Sequence, residues 1–84
     1  MRSYFITFRS VTFAQRGESV LRRSGIGCSL RRTPKWLEEQ GCGYSLHLHN
    51  ENIALAVERL RQNQVNFRKV YFQVPGGEME ELEL

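Results

Sequence analysis

Three observations predict an α+β fold for this 84-residue chain. Aromatic and β-branched runs occur near both ends, at residues 4–8 and 67–74. Two stretches carry apolar residues at helical spacing. Between them, residues 43–49 alternate strictly between the two faces of a strand. With a further strand at residues 26–32, the order is strand, helix, strand, strand, helix, strand. This is the ferredoxin-like βαββαβ plan, a four-stranded antiparallel sheet with two helices on one face. Its other face would be open to solvent or to a partner.

Tyr4-Phe5-Ile6-Thr7-Phe8 forms the first strand, and Ser10 is placed to cap the helix after it. Phe13, Ala14, Gly17, Val20 and Leu21 fall on one face of that helix, and Gly25 sits where a helix C-terminal glycine belongs. In residues 26–32, Ile26, Cys28 and Leu30 share one face, and Pro34 ends the strand. A connection follows at residues 35–41, with room for one helical turn around Trp36. In the third strand Tyr44, Leu46 and Leu48 face one way, and Ser45, His47 and His49 the other. Asn50 caps a second helix with a stripe at Ile53, Ala56, Val57 and Leu60. Asn63 is the expected left-handed residue at its end. Pro75-Gly76-Gly77 breaks the last strand. The reading is one domain over residues 1–75 and an acidic, flexible tail over residues 76–84.

Composition narrows the function classes. No run approaches the ~20 apolar residues of a membrane span. The first residues lack the apolar core and cleavage site of a signal peptide, so a cytoplasmic location is expected. Two cysteines are fewer than a small secreted chain normally carries, and they are expected to be reduced. The net charge is +3, yet Glu78, Glu80, Glu81 and Glu83 cluster at the end. Without those four, twelve basic residues stand against five acidic ones, a net of +7. A basic body points to an anionic partner. No aspartate occurs, no glycine-rich loop precedes a helix, and no cofactor is implied. His47 and His49 share a strand face, but two imidazoles fall short of a metal's ligand set.

The candidate for chemistry is Cys42, flanked by Gly41 and Gly43. A cysteine between glycines has no bulky sequence neighbours, so a partner's active site can approach it. The thiolate is the reactive form, and Arg31, Arg32 and Lys35 upstream are the cations placed to favour it or to dock a partner. Cys28, between Ile26 and Leu30, reads first as a small core hydrophobe and second as a resolving thiol. A competing reading is a non-catalytic binding module for RNA, a nucleotide or a protein, using the open sheet face and the arginines. Either way the chain reads as a carrier or binding protein rather than an enzyme. Pairing through sheet edges makes a homodimer a further expectation.

Over most of residues 4–71 the chain resembles a family of small bacterial selenium/sulfur carrier-like proteins, formerly a domain of unknown function. The resemblance rests on Tyr4-Phe5-Ile6-Thr7-Phe8 with Ser10, on Ala14, on Gly25-Ile26, on Arg32-Thr33-Pro34 and on the Cys42-Gly43 pair. It implies that Cys42 carries sulfur or selenium between a donor and an acceptor protein. Many members have serines before the Cys-Gly pair, where this chain has Glu38-Glu39-Gln40-Gly41.

Overall fold

A computed structural model describes residues 3–33, 43–48, 53–73 and 79–82. The elements are β1 (Ser3–Phe8), α1 (Val11–Arg23), β2 (Ser29–Arg32), β3 (Tyr44–Leu48), α2 (Ile53–Gln62), β4 (Val70–Gln73) and β5 (Met79–Leu82). The sheet is antiparallel throughout, in the order β2-β3-β1-β4-β5. The first four strands follow the ferredoxin-like arrangement. The expectation of four strands is corrected to five.

The fifth strand comes from the segment read as an acidic tail. An edge strand needs only one partner and one covered face. Leu82 stands opposite Val70 and packs against the core, while Glu80 and Glu81 are exposed. Two apolar positions in four residues are too few to read as a strand, and the glutamates look like a solvated run. Charges on an edge also discourage pairing with another chain.

Both helices cover one face of the sheet. Ser10 caps α1 by accepting a hydrogen bond from the Phe13 amide at 3.3 Å. Ala14, Gly17, Val20 and Leu21 of α1 are buried, as are Ile53, Ala56, Val57 and Leu60 of α2. They meet Tyr4, Ile6, Phe8, Leu46, Leu48 and Val70 from the sheet. Each fully buried aliphatic or aromatic side chain contributes about 1.5–3 kcal/mol.

Both helices end the same way. The Ile26 amide bonds the Leu21 carbonyl and the Gly25 amide that of Arg22, with Gly25 at φ +78°. The Val65 amide bonds Leu60 and the Gln64 amide bonds Arg61, with Gln64 at φ 57°. These are Schellman closures. They correct two expectations. The left-handed residue after α2 is Gln64, with Asn63 one position earlier. The strand expected from residue 26 starts at Ser29, because Ile26 spends its amide closing α1.

The last strand also starts later than expected. Thr7 donates its amide to the Lys69 carbonyl and accepts from the Arg68 amide. Two residues therefore oppose one, which is a bulge, and the regular ladder begins at Val70.

The face opposite the helices is not open at its centre. Phe5, Thr7, Ser45, His47 and Tyr71 are all buried, Ser45 completely. Phe5 and His47 stack with centroids 4.3 Å apart and planes 6° from parallel.

Two substitutions test this packing. A Cβ on Gly17 would lie 3.0 Å from Phe8 Cζ and 3.1 Å from Leu46 Cδ1. Both neighbours are almost wholly buried, so any shift must be taken up within the packed core. The overpacking cost of about 1–3 kcal/mol outweighs the ~1 kcal/mol gained in helix propensity. Gly17→Ala should therefore lower the urea midpoint, and a raised midpoint would mean that the core yields there. Gln64→Gly should raise the midpoint, through about 1 kcal/mol of added stability, because glycine adopts positive φ without the Cβ clash.

Candidate functional site

β2 and β3 form the hairpin that leads to the predicted site. Ser29 stands opposite His47, Leu30 opposite Leu46, Arg31 opposite Ser45 and Arg32 opposite Tyr44. The Thr33 amide then donates to the Gly43 carbonyl. Arg31, Arg32, Thr33 and Gly43 thus converge at one end of the hairpin. Gly41, Cys42 and Lys35 lie outside the described residues, as do the connection at residues 35–41, His49 and Asn50.

That end combines exposed cations with buried hydroxyls. Arg31 and Arg32 are exposed, and the Arg32 guanidinium lies 5.5 Å from the Tyr44 ring centroid. Thr33 and Ser45 are buried, and neither hydroxyl has a hydrogen-bond partner among the described residues. A buried hydroxyl without a partner costs about 1–3 kcal/mol, so such groups mark places where a further acceptor or donor fits. Sequence reading missed both. Burial on the second face was the signal, and it appears only when the strands are assembled.

Cys28 stands at the other end. It immediately precedes β2, five residues of extended chain from Thr33, or about 17 Å along the strand. Its side chain is half-buried and packs against the core, in line with the core-packing expectation. Its thiol pKa is raised, first by burial and then by the Glu18 carboxylate. The Arg22 guanidinium opposes this through its charge and a hydrogen bond. Arg22 is shared with Glu18, which it meets at 3.3 Å one helical turn away. Cys28 is therefore a protonated thiol and a weak nucleophile at neutral pH.

Of the expected histidine pair, only His47 lies within the described residues. His47 is buried and stacked on Phe5, so it presents no free ring face to a base. Among the described residues no three potential metal ligands come together. Nor is any described helix long and apolar enough to cross a membrane.

Alkylation of Cys28 should stay slow through neutral pH and accelerate only above the ordinary thiol pKa of about 8.5. Glu18→Gln should speed it and Arg22→Gln should slow it, as read by thiol-specific mass labelling of the folded protein. The same raised pKa favours the fold fully below about pH 8.5, and that contribution is lost as pH rises through the folded value.

Comparison with known proteins adds one match. No curated protein and no solved structure matches the chain. A family model does, over residues 3–72, and its description is "Putative Se/S carrier protein-like". The match takes in both helices, the β2–β3 hairpin and the central strands. On that coverage, the chain belongs to the Se/S carrier protein-like family.

Proposed function

We propose that this protein carries sulfur or selenium as a persulfide or selenopersulfide on Cys42. The observation that supports it is the register of β2 and β3. Chain continuity attaches Cys42 to Gly43, and Gly43 is bonded to Thr33 beside Arg31 and Arg32. Cations favour a thiolate over a thiol. Hydroxyls such as those of Thr33 and Ser45 can donate to an anionic sulfur, in place of the serines that other members carry before the Cys-Gly pair.

The transfer balances without an external oxidant. The Cys42 thiolate attacks the outer sulfur of a donor persulfide. A new Cys42–sulfur bond forms, the donor's sulfur–sulfur bond breaks, and the donor leaves as a thiolate. Delivery is the same exchange in the other direction. An acceptor nucleophile takes the outer atom, and Cys42 departs as thiolate. In this reading Cys28 plays no resolving role. It sits at the remote end of the hairpin and is held protonated, so the cargo is not discharged into an internal disulfide. The docked partner would be a donor or acceptor protein with an acidic face toward Arg31 and Arg32.

Intact-mass spectrometry after incubation with a cysteine desulfurase and cysteine tests the assignment. Wild type and Cys28→Ser should each gain one sulfur, and Cys42→Ser none. A gain in Cys42→Ser, or none in wild type, would refute the carrier reading. Arg31→Gln with Arg32→Gln should slow loading by about tenfold at low salt, the scale of electrostatic steering.

A further inference from the structure

A second basic surface runs along the flank of α1, and its Arg9 end directly follows Phe8, which stands opposite Tyr44 at the hairpin end. Two pockets adjoin there. The first, of about 400 Å³, is lined by Arg9, Phe13, Asn66 and Phe67. The second, of about 290 Å³, is lined by Arg16, Ser19, Val20 and Arg23 of α1, with Asn63 and Val65 opposite. Phe13 and Arg16 are in contact, with the guanidinium carbon 6.0 Å from the ring centroid. Val65 and Asn66 are consecutive. The two pockets are therefore one groove, with α1 as one wall and the connection from α2 to β4 as the other.

Three properties of this groove select a ligand. The first is the charge. Arg9, Arg16 and Arg23 recur every seven residues, which for Arg16 and Arg23 is two helical turns, or about 10.5 Å along α1. All three are exposed, and among the described residues none is paired with a carboxylate. Arg22, about 100° round the helix from Arg23, is paired with Glu18. No acidic residue lines either pocket among the described residues.

The second property is aromatic. Phe13 and Phe67 line the first pocket, each partly packed against the core and each with an arginine over its ring, Arg16 at 6.0 Å and Arg61, from the adjoining pocket, at 5.7 Å. With the rings covered in this way, it is the outer plane of each ring-backed guanidinium, together with the exposed ring edge, that an unpaired base can stack on. The third is the polar lining. The amides of Asn63 and Asn66 and the hydroxyl of Ser19 can serve base edges and the ribose 2′-hydroxyl. An acidic peptide would use the cations but would have no use for the rings.

We propose that this groove binds single-stranded RNA, with Arg9, Arg16 and Arg23 tracking the phosphates and the Phe13–Phe67 pair supporting the bases. The surface differs from the sheet face that RNA-recognition modules of similar topology use, and here the centre of that face is buried. The proposal does not rest on the carrier reading, since neither cysteine takes part.

Fluorescence anisotropy of the full chain with a labelled oligouridylate of about twelve nucleotides tests it. Binding at low salt should weaken as salt rises, with a log–log slope of about −2 for three phosphate contacts. Arg16→Gln with Arg23→Gln should cost about tenfold or more and flatten the slope to about −0.7. Phe67→Leu keeps an apolar side chain in place, and it should weaken binding about tenfold without changing the slope. Arg22→Gln should leave affinity unchanged. Four results would overturn the proposal: no binding at low salt, an equal loss in Arg22→Gln, competition by a polyglutamate peptide of matching charge, or equal affinity for oligothymidylate. Because no thiol is involved, failure here would leave the sulfur-loading result unaffected.

Discussion

The structure depends on β1 being buried on both faces. From Tyr4 to Phe8 every residue is covered, although the two sides differ in character. Tyr4, Ile6 and Phe8 lie under the helices, while Phe5 and Thr7 lie on the second face with His47, Ser45 and Tyr71. A one-residue slip would put Phe5 and Thr7 under the helices in place of Tyr4, Ile6 and Phe8, losing three core side chains and burying a hydroxyl there. β3 and β4 are registered against it, and β2 and β5 follow from them. The bulge opposite Thr7 also belongs to this constraint. Thr7 accepts from the Lys69 amide and donates to the Lys69 carbonyl through its hydroxyl, besides making two backbone bonds to residues 68 and 69.

That register separates two local environments at the ends of the hairpin. The Gly43 end of the hairpin gathers exposed arginines and buried hydroxyls that have no hydrogen-bond partner among the described residues. The Cys28 end gathers a carboxylate, a shared guanidinium and core packing. Burial and Glu18 push the Cys28 thiol toward its neutral form, and Arg22 offsets only part of this because it also serves Glu18. A carrier with one active thiol benefits from a second that stays inert, since an accessible neighbour would reduce the bound persulfide and release its cargo.

The charge pattern has a similar division. The basic excess is not one diffuse surface. Arg31 and Arg32 mark the hairpin end, while Arg9, Arg16 and Arg23 mark the flank of α1. Glu80 and Glu81 stand at the far edge of the sheet, four strands away from β2. Lys69 and Glu81 approach to 3.5 Å there, a partly exposed pair worth at most about 1 kcal/mol. Strand order thus keeps the acidic segment away from Arg31 and Arg32, whereas Glu81 shares a pocket with Arg61, Phe67 and Arg68 beside the α2–β4 connection.

Much of this was legible in the residues themselves. The two amphipathic stripes, the Ser10 cap, the Gly25 terminus and the alternation of Tyr44 to Leu48 are local patterns, and local backbone geometry obeys them. The family resemblance was legible too, because it rests on short motifs in fixed order. What the sequence alone could not decide depended on neighbours distant in the chain. β5 needed the Val70 partner that gives Leu82 a core to join. Burial of Ser45, His47 and Phe5 depended on a face that alternation marks as polar. The groove on α1 required a helix flank and the α2–β4 connection to meet across some forty residues of chain. Periodicity reports which side of one element is apolar. Which elements then share a surface is set by strand order and register, and those are properties of the assembled sheet.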